Sequence, residues 1–405
     1  MRRHGFLTFL LPQGLTGLAA LAGVLLFGYG VWAQLHRLAL VARQGLGFAD
    51  PFCTTGYCDY GMFWLAGLFT RHGQAALLYD HARYAALAAH LLPYKTGWWP
   101  FVYPPTVLAP AWAISFMGLV TGYYVVLGLV LAVSAWLLRR AGIARWCIAV
   151  GFVSQPAMWA LYLGQLGLLC GALLVYGLAS MAARPARAGV CLSLLAVKPQ
   201  YALLVPVAGW AAKRWRVLAV GAGALLLWLA FSLWLGGLPA WAAYLGPGRA
   251  AARALLEQPF NAGGFQDMGS SVFWMLRSLG ASLGVAYAGQ GVMSLGCLFG
   301  VWRLWRGEDG GNRLAATMFL TLLTSPYGFT DDLAVYAVLL PTLARRGAHW
   351  RNAALAWLWV APAFVTKCVA LTGFLPTPLL LGAALGLSLA QQKQPLLAEQ
   401  IRQPA

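Results

Sequence analysis

The chain has 405 residues, 61% of them hydrophobic and only 9% charged, where a soluble domain carries about 25% charged residues. No soluble fold of this length could bury so much apolar surface, so a water-soluble enzyme is excluded. The net charge of +18 does not point to nucleic acid: the basic residues form short clusters at the ends of apolar blocks (Lys213, Arg214 and Arg216; Arg303 and Arg306; Arg345, Arg346 and Arg351), as at the cytoplasmic ends of membrane helices.

In chain order, residues 4–36, 96–138, 146–183, 217–248, 278–302, 314–330, 352–366 and 369–392 contain no Asp, Glu, Lys or Arg. A helix crosses the hydrocarbon core with about 20 apolar residues, so 96–138 and 146–183 are each long enough for two passes. The short alternating segments of a membrane barrel are absent. The reading is an all-α polytopic membrane protein, a single transmembrane domain over 1–405 with about 12 spanning helices. The apolar run 6–33 after Met1-Arg2-Arg3-His4 exceeds a signal-peptide core and is read as an uncleaved first span.

A first external loop over 34–100 follows, with Asp50, Asp59 and Asp80 and two amphipathic pieces, 63–71 and 83–92, expected to lie along the membrane surface. A second external loop over 238–275 carries Arg249, Arg253, Glu257 and Asp267. If every apolar block crosses, Arg139, Arg140, Arg145, Arg184 and Arg187 fall outside, against the positive-inside bias. A re-entrant, proline-rich 103–116 and a broken hairpin over 190–210 turning at Lys198-Pro199 return them to the inside, since proline marks a break in a membrane helix.

The chain has no dinucleotide fingerprint, no Walker sequence and no His or acid spacing for a metal. Five cysteines lie singly in apolar segments and read as packing residues. Cys53 and Cys58 share the first external loop; a disulfide in an oxidising compartment and two free thiols both remain open. Ionisable groups in a membrane protein are costly and tend to be functional. Asp59, among aromatics in Tyr57-Cys58-Asp59-Tyr60, reads both as a general base and as a helix cap. Lys198, deep in an apolar run beside Pro199, calls for an anionic partner. Gln165, in Leu163-Gly164-Gln165, is a buried amide of the kind that joins helices.

Taken together the motifs resemble glycosyltransferase family 87, membrane enzymes of the GT-C superfamily that use polyprenyl-phosphate sugars. The resemblance rests on Asp59-Tyr60, Trp64-Leu65-Ala66-Gly67, Leu78-Tyr79-Asp80, Phe101-Val102-Tyr103-Pro104-Pro105, Leu163-Gly164-Gln165, Lys198-Pro199-Gln200 and Ser325-Pro326-Tyr327 with Asp332-Leu333, in order along the chain. It implies a GT-C-like helical bundle in a bacterial inner membrane with its site facing the periplasm. It further implies inverting transfer of a mannose-like hexose from a polyprenyl-phosphate donor to a glycolipid or glycan acceptor, without metal or cofactor. Asp59 takes the role of base. Lys198, Gln200, Gln165 and Tyr103 are candidates for the donor phosphate, Asp332 for binding sugar hydroxyls or orienting Lys198, and Asp331, Tyr60 and Asp80 for a sugar-binding or orienting role. A flippase for lipid-linked sugars is the rival reading; it would favour inverted sequence halves, which this chain does not show.

Overall fold

The computed structural model describes residues 2–44, 59–91, 100–307 and 312–390, so Cys53 and Cys58 lie outside the described residues. The first half carries α1 (Arg2–Gln44), α2 (Asp59–Arg71), α3 (His81–Leu91), α4 (Leu108–Ile114), α5 (Leu119–Arg140), α6 (Arg145–Phe152), α7 (Gln155–Leu163), α8 (Gly167–Ser180), α9 (Pro185–Ser193) and α10 (Val205–Ala211). The second half adds α11 (Trp215–Ala243), α12 (Arg249–Glu257), α13 (Val272–Ser278), α14 (Leu283–Arg306), α15 (Arg313–Thr324), α16 (Ala334–Leu339), α17 (His349–Val360), α18 (Val365–Thr372) and α19 (Thr377–Leu389). Regular structure among the described residues is helical, apart from one antiparallel bridge between Gly269 and Phe329.

Among the described residues, five stretches are long and apolar enough to cross a bilayer: Leu11–His36 in α1, α5, Trp215–Glu257, α14 and His349–Thr372. Helices α6 and α7, bent by 62°, make a sixth if they are one broken span. The sequence reading of about 12 crossings counts apolar blocks that fold here as shorter helices; a helix of 14 residues such as α8 reaches about 21 Å, short of the roughly 30 Å hydrocarbon core. Within the charge-free block 96–138, α5 is the helix long enough to span, and α4 has only seven residues.

Helices α8, α15 and α16 form the centre and are buried along nearly their whole lengths. The long helices surround them and turn apolar side chains outward: Leu227, Trp234, Val292 and Leu371 are 74%, 73%, 72% and 83% exposed. Such a surface suits lipid and would aggregate in water. Helix α11 bends where Gly237 leaves helical geometry (φ 69°) two residues ahead of Pro239.

The two first-loop helices are buried to different degrees. Helix α3 does bury one stripe, Tyr84 and Ala88, and exposes His81 and Arg83. Helix α2 is buried along most of its length because its backbone presses on α4. At Gly67 a Cβ would overlap the Ala111 carbonyl oxygen, so the closeness of these two helices depends on glycine there. Arg71 closes the contact by donating to the Ser115 carbonyl at 2.8 Å, and its guanidinium sits 4.2 Å over the Phe116 ring.

Candidate functional site

Asp59 is the first residue of α2, where a carboxylate is favoured by the helix dipole. Its Oδ2 accepts a 2.7 Å hydrogen bond from the Gln165 amide, which also donates to the Tyr103 hydroxyl at 2.8 Å. The local sequence sets up this reach. Gly164 ends α7 in the left-handed conformation (φ 73°), with the Gln165 N–H bonded back to the Ala160 carbonyl at 2.8 Å, the glycine-dependent turn that commonly closes a helix. A Cβ on Gly164 would also lie 2.5 Å from Tyr60 Cβ, so glycine is what lets the end of α7 approach the start of α2.

Lys198 occupies the break between two short 3₁₀ turns, Leu194–Val197 and Pro199–Tyr201, with φ −136° and ψ 75°. The following proline disfavours helical geometry at that residue, so the chain opens where the lysine points inward. Its ammonium contacts Asp331 at 3.1 Å and pairs with Asp332 Oδ1. The lysine and Asp331 side chains are 6% and 9% exposed, and that of Asp332 is 1% exposed. Tyr201, one 3₁₀ turn beyond Lys198, donates to Asp332 Oδ1 at 3.1 Å. The Phe329 N–H donates to Asp332 Oδ2 at 3.3 Å. With both acids ionised, this trio carries a net charge of −1.

The two groups are neighbours. Gly167, two residues beyond Gln165, packs so closely on the acid turn that a Cβ there would sit 2.6 Å from the Asp331 carbonyl oxygen. The Tyr201 hydroxyl lies 3.3 Å from the Gly167 carbonyl. Thr106, after the Tyr103-Pro104-Pro105 sequence, donates to the Ala196 carbonyl at 2.6 Å, just ahead of Lys198. The Tyr79 hydroxyl donates to the Tyr103 carbonyl at 2.9 Å, and the Phe63 and Tyr103 rings are 4.7 Å apart. Motifs from the first loop, the middle of the chain and residues near 330 thus meet at one place.

Other candidates sit differently. Tyr60 is buried beside Tyr123 at 5.5 Å between ring centres, and its hydroxyl abuts Gly122 on α5. Asp80 receives the Arg83 N–H at 3.2 Å at the start of α3 and pairs with the Arg83 side chain at 3.4 Å, with about half its side chain in the open. Gln200 is half-buried in the turn after Pro199 and makes no hydrogen bond to the other candidates. Among the described residues no three His, Cys, Asp or Glu side chains group as a metal site would require.

Tyr201 and Thr106 are not marked out by the sequence motifs, and Tyr79 enters only as the middle residue of Leu78-Tyr79-Asp80; the spacing of Tyr201, three residues after Lys198 in a proline-started turn, is the available signal. The second loop also takes part. The Thr330 hydroxyl donates to the Met268 carbonyl at 3.0 Å, and the Ser270 N–H to the Gly328 carbonyl at 2.9 Å. This loop contains Asp267, which is 4% exposed; its Oδ2 accepts the Gly263 N–H at 2.7 Å while Oδ1 has no partner. Burial pushes this carboxyl above its ordinary value, and the Gly263 hydrogen bond pulls it part of the way back.

A carboxyl whose folded value lies above its unfolded value leaves the fold at full strength below the unfolded value and weakens it as pH rises through the folded one. Asp267→Asn is therefore expected to melt higher than the wild type at neutral pH, with the difference closing as pH falls to about 4, the ordinary range for a carboxyl. Melting followed in detergent across that range checks this. A variant that melts lower at neutral pH would show that the charge itself is needed.

No curated protein and no solved structure matches the chain. The model of glycosyltransferase family 87 matches residues 101–326, more than half of the chain, including Tyr103, Gln165 and Lys198, while Asp59, Asp331 and Asp332 lie outside the matched stretch. The protein is an all-helical membrane protein that belongs to glycosyltransferase family 87.

Proposed function

We propose that this glycosyltransferase moves a hexose, mannose-like in class, from a polyprenyl-phosphate donor to a glycolipid or glycan acceptor, with inversion, at the outer face of a bacterial inner membrane. The observation that carries the reading is the Gln165 amide, which joins Asp59 to Tyr103 on the flank of the Lys198–Asp331–Asp332 trio. The bundle's approximately twelve-helix GT-C-like arrangement, with 34–100 and 238–275 outside, belongs to the same proposal.

In this mechanism Asp59 accepts the proton of an acceptor hydroxyl as that oxygen attacks the anomeric carbon. The bond from that carbon to the phosphate oxygen breaks on the opposite face, and its electron pair leaves with the lipid phosphate. A phosphate is stable as an anion, so the departure calls for hydrogen-bond donors and positive charge rather than for a general acid. Tyr103, whose hydroxyl accepts from Gln165 and keeps its own hydrogen to give, and Gln200 offer the donors, while Gln165, with both amide hydrogens on Asp59 and Tyr103, lines the phosphate position and orients Tyr103. Lys198 is held by two carboxylates, which leaves its surroundings net negative; in this reading its role is to fix Asp331 and Asp332, which bind sugar hydroxyls. Tyr60 and Asp80 support the same first-loop wall from further out.

The test is donor choice. Purified protein reconstituted in lipid with a chelator present is expected to transfer sugar from a polyprenyl-phosphate donor and to give the opposite anomer in the product. Transfer from a nucleotide sugar but not from the lipid donor would overturn the reading.

A further inference from the structure

The phosphate of a lipid donor needs a counter-charge, and Lys198 does not supply it: one ammonium stands between two carboxylates. Cations at the loops around the site are mostly engaged elsewhere. Arg71 donates to the Ser115 carbonyl, Arg83 pairs with Asp80 and Arg277 donates to the Ala281 carbonyl. On α12, Arg253 pairs with Glu257 at 2.8 Å, and Glu257 also accepts the Tyr287 hydroxyl at 3.0 Å.

Arg249 differs. It is exposed at the start of α12, and its guanidinium has no ion-pair partner among the described residues. Its position ties it to the site wall. Its neighbour Gly248 rests on the Tyr79 ring, with a Cβ placed there standing 2.8 Å from Tyr79 Cδ1. The ring of Tyr244, one turn back, is 5.6 Å from that of Tyr79. Tyr79 holds the Tyr103 carbonyl, and the Tyr103 hydroxyl shares the Gln165 amide with Asp59. The Ser325-Pro326-Tyr327 turn lies close by: burial, then Glu257 and Tyr244, push the Tyr327 phenol up, while Arg249 and Arg253 pull it back.

The setting is that of a membrane-surface helix. Helix α12 continues from the span α11 and is amphipathic, burying Leu256 while exposing Arg249 and Arg253. Just before it, Leu238 and Leu245 are 73% and 54% exposed, an apolar flank over which a lipid chain can approach. Arginine also matches phosphate with a planar fork of donors that lysine lacks.

We propose that Arg249 binds the phosphate of the membrane-anchored donor, with α12 as the interfacial element along which the lipid head group reaches the site. This rests on the polyprenyl-phosphate reading, and the experiment separates the two. The probe is a C55 polyprenyl phosphate titrated into phosphatidylcholine nanodiscs holding the full-length protein, with phosphatidylglycerol as a second anionic lipid. Wild type binds the polyprenyl phosphate in preference to phosphatidylglycerol. Arg249→Gln weakens that binding by about tenfold or more, the scale of a lost charge-assisted contact, without a change in melting temperature. Arg249→Lys falls between them, and Arg253→Gln binds as wild type does. In the transfer assay Arg249→Gln raises donor KM more than it lowers kcat. Equal binding by wild type and Arg249→Gln overturns the assignment and leaves the donor reading standing. Equal losses in Arg249→Gln and Arg253→Gln, or for both lipids, reduce it to diffuse surface charge and also overturn it. A wild type that binds no polyprenyl phosphate removes both.

Discussion

Asp59→Asn is expected to keep the fold and lose sugar transfer by about 10²–10⁴-fold, the range that positioned general bases contribute. The substitution preserves shape and leaves a side-chain oxygen able to accept the Gln165 amide, which now holds Oδ2 at 2.7 Å. It removes the capacity to take a proton. The opposing view makes Asp59 a structural acid at the start of α2, where a carboxylate at a helix N-terminus contributes about 0.3–1 kcal/mol. The two views predict different readouts. Loss of the base lowers kcat and leaves the melting temperature and donor binding near wild type. Loss of a structural acid lowers the melting temperature and spares kcat. Gln165→Leu is the companion variant: it leaves Asp59 chemically intact but unheld, so a smaller loss than that of Asp59→Asn is expected. Wild-type kcat in folded Asp59→Asn protein would sink the assignment.

The general architecture was legible in the sequence because membrane burial acts on composition. Charge-free blocks and basic clusters at their ends identify a helical membrane protein without any tertiary information. The break at Lys198 was legible too, since a residue before proline is steered away from helix, and the backbone does open there. What the sequence left hidden lies between segments distant in the chain. Lys198 calls for an anionic partner, and its local sequence does not say that the partners are Asp331 and Asp332, more than 130 residues away. Periodicity carries no information on such a pairing. The burial of α2 was hidden for a similar reason: its amphipathic pattern suggests a surface helix, but the contact at Gly67 brings α4 onto it. Block length alone does not set the number of crossings, because an apolar block can also hold short helices packed inside the bundle, as α8 and α16 are. Asp80 shares its motif with Tyr79 yet pairs with Arg83 at the start of α3, because adjacent residues in a turn face different ways.

The second large effect is expected at Lys198. Removing one partner of a buried ion pair leaves an uncompensated charge and typically costs about 3–5 kcal/mol. Here Lys198→Met would leave two neighbouring buried carboxylates, with the Tyr201 hydroxyl and the Phe329 N–H as the remaining donors to Asp332 among the described residues. The variant is expected to give little folded protein or to melt far below wild type in detergent. Neutralising the acids as well, in Lys198→Met with Asp331→Asn and Asp332→Asn, removes the stranded charges and should restore much of the stability, because an apolar or neutral replacement of a whole buried pair is often tolerated. If the acids bind sugar hydroxyls, the triple variant folds and still fails to transfer. Its comparison with the single variants forms a coupled cycle in which the departure from additivity measures the trio as a unit. Wild-type stability in Lys198→Met would sink the view that the lysine holds the two acids in place. A triple variant that recovers transfer along with stability would make the trio a structural brace, and would place sugar binding on the Asp59 side of the cleft.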